Sequence, residues 1–134
     1  MKYISLEYII KLHDKMIDNT GGSNGIRDME LLKSSIENSR ATFGGEDLYP
    51  TVESKCANIC FNIIKNYAFV DCNKRTGIYV ILTLLEYNNI KLEFTQKELV
   101  DLGVDIASGK LNQKDIMSWI ENHKQVISIV SRER

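Results

Sequence analysis

Little in this sequence points to a special compartment or to a global electrostatic partner. Lys and Arg total 17 against 18 Asp and Glu, a formal charge of −1, so no basic field is available to draw in nucleic acid. No apolar run approaches the roughly 20 residues of a membrane helix. Glu7, Lys11 and Asp14 interrupt the region where a secretion signal would have its apolar stretch. Cysteine is scarce and odd in number, at three. Cys56, Cys60 and Cys72 sit in apolar surroundings, which favours a reducing cytoplasm over a disulfide framework. Cys56 and Cys60 lack a Cys-x-x-Cys partner or a nearby histidine, so they read as core thiols. The lone proline, Pro50, falls in an irregular stretch. There is no internal repeat, low-complexity segment or interdomain linker, and the 134 residues read as one domain, 1–134, with one core.

What is present is helical periodicity. Ser5 can cap a helix over 5–19, with Leu6, Ile9, Ile10, Leu12, Met16 and Ile17 near helical spacing. The cluster Asn19-Thr20-Gly21-Gly22-Ser23-Asn24-Gly25 predicts a loop. Asp28 opens a second helix whose expected inner face is Met29, Leu32 and Ile36. A second irregular stretch, 42–50, precedes a third helix beginning at Thr51, with Cys56, Ile59, Cys60 and Ile63 as its stripe. The fourth predicted helix, 74–89, is apolar nearly all round, the pattern of a central buried helix. Residues 91–94 alternate and are expected to be briefly extended. Thr95 with Glu98 fits a capping box that starts a helix to about Ala107, and a last helix spans about 112–123, with Leu111, Ile116, Trp119 and Ile120 turned inward. The tail 126–134 is expected to extend this helix or fray. The expectation is an all-α bundle of about six helices, with the third and fourth as the buried pair.

Between those two helices lies Tyr67-Ala68-Phe69-Val70-Asp71-Cys72-Asn73-Lys74-Arg75-Thr76-Gly77. Asn73 is a good N-cap residue, which would leave the N–H groups of Lys74, Arg75 and Thr76 free at a helix start. Free amides at the positive end of a helix dipole form an anion site, and Lys74 and Arg75 add two cations. The stretch therefore reads as a phosphate-holding loop, with its seat expected between the third and fourth helices.

This loop resembles the active-site motif of the Fic/Doc superfamily, in its death-on-curing (Doc) branch, which reads His-x-Phe-x-Asp/Asn-Ala/Gly-Asn-Lys-Arg. Phe69, Asp71, Asn73, Lys74 and Arg75 match in order and spacing. Lys74 marks the Doc branch, because Fic proteins usually have glycine there. Cys72 replaces a small residue, and Tyr67 stands where the catalytic histidine is expected. The resemblance implies the superfamily's helical bundle with this loop between two central helices. It implies Asp71 as the ligand of Mg²⁺, and Cys72, Asn73, Lys74 and Arg75 around the phosphates of ATP. It implies transfer of the terminal phosphoryl group of ATP to a hydroxyl of elongation factor Tu, arresting translation, by the toxin of a toxin–antitoxin pair. The antitoxin is then expected to lay a helical segment along a groove of the toxin.

Tyr67 alters that expectation. A histidine of ordinary pKa near 6.5 accepts a proton at neutral pH, whereas a tyrosine near 10 already holds one. Loss of a general base costs about 10²–10⁴-fold, so this form is expected to fold and bind nucleotide but transfer poorly. Two other readings stay open: AMP transfer of the Fic type, which Lys74 disfavours, and a non-catalytic module that binds an antitoxin or a translation factor. His13 with Asp14 reads as a helix-face pair or an accessory site, and His123 as a favourable charge at a helix C-terminus. Lys65 and Asn66 either touch the phosphates or end the third helix. Residues 44–49 form either a flap over an extended target segment or a plain connection.

Overall fold

The structure is a computed structural model, and it describes residues 1–125. Among these, six α-helices run in the order α1 (Leu6–Thr20), α2 (Met29–Glu37), α3 (Val52–Asn66), α4 (Asn73–Tyr87), α5 (Gln96–Ala107) and α6 (Gln113–Asn122). The expected all-α class holds. The tail expected to extend α6 or fray, 126–134, lies outside the described residues.

Local chemistry sets most helix starts. The Ser5 hydroxyl accepts from Tyr8 N–H, and the Asp28 carboxylate accepts from Leu31 N–H. Thr51/Ser54, Thr95/Glu98 and Asn112/Asp115 are reciprocal capping boxes. Residues 91–93 are extended, as expected, and pair with 123–125: Glu93 N–H donates to His123 O and Gln125 N–H to Lys91 O. His123 closes α6, its Nδ1 donating to Trp119 O at 2.7 Å, and its Nε2 lies 2.8 Å from the Glu98 carboxylate.

Two expectations need correction. Residues 42–50 are not wholly irregular: β1 (Thr42–Phe43) and β2 (Glu46–Asp47) form a small antiparallel hairpin, which Gly44-Gly45 turn with φ of 59° and 83°. The inner face of α2 is Leu32 and Ser35, with Ile36 half-buried, while Met29 is exposed. Leu32 is wholly enclosed, and Ser35 gives its hydroxyl to Leu31 O.

Helices α3 and α4, each of 15 residues, form the centre. Cys56, Ile59, Cys60 and Ile63 on α3 and Val80, Ile81, Leu84 and Leu85 on α4 are all at most 2% exposed. Burial pushes the Cys56 thiol up to about 12 and raises Cys60 further, so both are inert core groups, unlinked by a disulfide. The two helices approach closely at Gly77, where a Cβ would stand 2.6 Å from Ile64 Cγ1 and 3.2 Å from Cys60 O.

That contact yields a test. Gly→Ala inside a helix ordinarily stabilises by up to about 1 kcal/mol. Here the added methyl must displace Ile64, and such overpacking costs about 1–3 kcal/mol. Gly77→Ala should therefore lower the urea midpoint; a raised midpoint would show that α3 and α4 are not this close.

Candidate functional site

The segment Tyr67–Cys72 joins α3 to α4, and its shape follows from two residues in left-handed conformation. Tyr67 is the C-cap of α3 at φ 51°, and Cys72 is the N-cap of α4 at φ 63°. Left-handed geometry is costly for residues with a Cβ and persists only where surroundings impose it. Three groups do so. The Asn73 side chain clamps the loop: its Oδ1 accepts from Phe69 N–H and its Nδ2 donates to Phe69 O, both at 3.0 Å. Phe69, 1% exposed, stacks flat on His13 of α1, with centroids 3.9 Å apart. Arg27 closes the end of α3, with Nε donating to Tyr67 O at 2.7 Å and Nη2 to Asn66 O at 3.0 Å.

The preceding loop straps this segment down. Arg27 and Asp28 N–H groups both donate to Ala68 O, and Val70 N–H donates to Gly25 O at 3.0 Å. Ser23 N–H reaches Asp71 Oδ2 at 3.1 Å, while Cys72 N–H meets Asp71 Oδ1 at 2.8 Å. Gly22 makes that approach possible. At φ 124°, a Cβ there would lie 2.8 Å from Asp71 Oδ2. These amides, Ser23 first and then Cys72, with the Arg75 guanidinium beyond, hold the Asp71 carboxyl below the usual carboxylate range. Asp71 is thus an ionised hard-oxygen donor. It stands alone, since among the described residues no group of three or more His, Cys, Asp or Glu could enclose a metal. One carboxylate suits Mg²⁺ that takes its remaining oxygens from phosphates and water.

The helix start differs from the expected one. Asn73 is the first helical residue rather than the cap, and its side chain turns back to the loop. Thr76 N–H already bonds Cys72 O at 3.0 Å. The amides without an intrahelical acceptor are therefore those of Asn73, Lys74 and Arg75. Cys72 does more than stay small: its Sγ lies 2.8 Å from Arg75 Nη2.

The two cations part around the helix entry. The stem of Lys74 lies on α5, with Cγ 3.1 Å from where a Cβ on Gly103 would be. Arg75 turns to α1 and donates to the Thr20 hydroxyl. Both line a cleft of about 580 Å³ between α1, α4 and α5, whose lining does not include Asp71, Cys72 or Asn73. Its floor includes Met16, Ile78 and Leu99, and Lys15 adds a third cation. Lys65 and Asn66 point elsewhere, to Ala107 O and the Ser35 hydroxyl. The contributions of Gly22, Ser23, Arg27 and Thr20 were missed from sequence. The Gly21-Gly22 pair and the cation at Arg27, both in the breaker-rich 19–28 segment, were the available signals.

One clamped loop of a helical bundle thus offers an ionised acid, two cations and a helix N-terminus, the groups that chemistry uses to hold an anion. The family model described as Fic/DOC family matches residues 3–85. Over 93 residues the chain is 33% identical to a protein named Toxin Doc from Mycolicibacterium smegmatis, covering 69% of this chain and 67% of that protein. Over 116 residues it is 30% identical to one named Protein kinase doc from Escherichia phage P1, covering 87% and 90%. The chain belongs to the Fic/DOC family, in its Doc branch.

Two measurements probe this geometry. Asn73→Ala strips both partners from the buried Phe69 main chain, at about 1–3 kcal/mol per unpaired group. A loss of about 2–4 kcal/mol in urea unfolding is expected, and a loss below about 1 would contradict the clamp. For Asp71, a lowered folded pKa means that its bonds are complete above the ordinary value of 3.8 and are lost as pH falls through the lower folded value. The Ser23 amide resonance should therefore titrate with a midpoint below 3.8 and lose that titration in Asp71→Asn. A midpoint at or above that value would contradict it.

Proposed function

We propose that this chain is the toxin of a toxin–antitoxin pair and a Doc-type phosphotransferase. It would move the terminal phosphoryl group of ATP to a hydroxyl of elongation factor Tu, in the cytoplasm, and so arrest translation. One observation carries the reading: the ionised Asp71 carboxylate, the free amides at the start of α4 and the Lys74–Arg75 pair all issue from a single clamped loop. The names of the two relatives, a toxin and a protein kinase, agree with it.

The roles follow from chemistry. The amides of Asn73, Lys74 and Arg75 seat phosphate oxygens at the positive end of α4. Lys74 and Arg75 neutralise charge on the transferring group. Asp71 holds Mg²⁺, which supplies further neutralisation of the phosphates. Cys72 shapes the entry through its left-handed backbone and its contact with Arg75. The bond from the terminal phosphorus to the ADP oxygen breaks, a bond to the target hydroxyl oxygen forms, and the hydroxyl proton leaves to a base. Position 67 is where that base belongs. Tyr67 is 52% exposed on the rim of the loop, open to an incoming hydroxyl. A phenol there is a poor substitute for an imidazole base, so transfer is weak in this form.

Lys74 also weighs against AMP transfer. Its stem, packed on Gly103, occupies space beside the helix entry that glycine would leave to a diphosphate. The cleft beside Lys74 and Arg75 supports the antitoxin assignment. An apolar floor with a cationic rim of Lys15, Lys74 and Arg75 suits an acidic amphipathic helix. The exposed Phe43 of the hairpin and Leu48 just after it give a target segment an apolar edge to lie against.

The test is transfer of labelled phosphate from ATP to elongation factor Tu by this chain and by Tyr67→His. Restoring the histidine should raise the rate by about 10²–10⁴-fold, and mass spectrometry should find a phosphate adduct. An AMP adduct would give the Fic-type reaction instead. Nucleotide binding without any transfer by Tyr67→His would favour the non-catalytic module.

A further inference from the structure

His13 is wholly enclosed in α1, although it is one of only two histidines in the chain. Its ring stacks on Phe69, and its Nε2 lies 2.7 Å from the main-chain oxygen of Asp71. A carbonyl oxygen only accepts, so Nε2 carries the proton and donates. The other ring nitrogen, Nδ1, faces Asp14 Oδ1 at 3.3 Å. A buried imidazole needs a partner for its N–H; this one takes the carbonyl of Asp71, the residue whose carboxylate the loop amides hold.

The peptide plane gives that bond its consequence. Asp71 C=O and Cys72 N–H belong to one planar trans peptide, so they point in opposite directions. With the carbonyl held by His13, Cys72 N–H is turned outward, where it meets Asp71 Oδ1 at 2.8 Å. Ser23 N–H then fixes the second oxygen at 3.1 Å. The peptide is held in this orientation although Cys72 thereby sits at φ 63°, a conformation that a residue with a Cβ does not favour. Without the His13 bond, rotation of this one peptide would relieve Cys72 and withdraw an amide from the carboxylate.

We infer that His13 is a positioning residue for Asp71, orienting the Asp71–Cys72 peptide and through it aiming the carboxylate at a divalent cation on a nucleotide. The inference rests on the phosphotransfer reading but concerns binding, so it can be tested without turnover. His13→Phe keeps a flat ring against Phe69 and removes the donor. His13→Gln keeps an amide donor and removes the ring.

The experiment is calorimetric titration of the full chain with the nonhydrolysable analogue AMP-PNP, with and without Mg²⁺. In the parent, Mg²⁺ should tighten binding. In His13→Phe this metal-dependent gain should fall at least tenfold, while metal-free affinity, set by the amides and cations, stays within about twofold. His13→Gln should recover most of the gain. An equal loss of affinity with and without metal would reduce His13 to a structural residue and overturn the inference. So would a gain kept within twofold in His13→Phe, or a folded His13→Gln that has lost it. A parent that gains nothing from Mg²⁺ would overturn the phosphotransfer reading itself, and this inference with it.

Discussion

The pair of hydrogen bonds between the Asn73 side chain and the Phe69 main chain is the constraint on which the rest of the site depends. It ties the first turn of α4 to the middle of the loop. Phe69 is thereby pressed onto His13, and the neighbouring peptides are presented to the 25–28 strap. The loop closes on itself as well as on the core. Two residues in left-handed geometry, Tyr67 and Cys72, bracket it, and neither conformation would persist in a free chain. Their cost is offset by bonds that the rest of the fold supplies, so the loop is ordered before any ligand arrives. Preorganisation of this kind matters for phosphoryl transfer, where positioning and charge neutralisation do most of the work.

Burial and electrostatics divide the labour around this loop. Behind it lies an enclosed, mostly apolar core, with two inert thiols in the α3 stripe and His13 as a buried polar group against the loop. Everything in front is polar and reachable: Asp71, Lys74, Arg75 and the Tyr67 side chain. The acid does not neutralise the cations. Its oxygens are occupied by main-chain amides of Ser23 and Cys72, while Arg75 is turned toward Thr20 and Cys72 Sγ. Negative and positive groups thus coexist within five residues without collapsing into an ion pair. In the proposed function that separation lets the acid serve a metal while the cations serve phosphate. The cationic cleft between α1, α4 and α5 begins at the same two side chains, so a partner lying there would meet the groups that the proposed function assigns to the nucleotide.

Much of the fold was legible in the sequence because the helices carry their own start signals. Ser5, Asp28, Thr51 and the Thr95–Glu98 box act where sequence places them, and the near-continuous apolar run of α4 correctly marked the central helix. The site was legible as residue types but less so as geometry. Asn73 has the chemistry of a cap, yet it spends that chemistry on Phe69, and a left-handed Cys72 takes the cap position; no local rule anticipates that exchange. The hairpin at 42–47 escaped because strands of two residues show no period. Arg27, Gly22 and Ser23 act on residues some 40 to 49 positions away, and such contacts have no signature in spacing. The cleft that Lys74 and Arg75 line lies between α1, α4 and α5, while Gly77 lets α3 and α4 close on each other.

In the proposed function the first amides of α4, beside Asp71, seat the phosphates of a nucleotide. Amide-resolved NMR of the labelled chain, titrated with AMP-PNP and Mg²⁺, tests it most directly. The largest shifts should fall on the N–H groups of Asn73, Lys74 and Arg75, with Ser23 and Cys72 following through Asp71. Shifts that spare these five amides, or that centre on another face of the bundle, would contradict it.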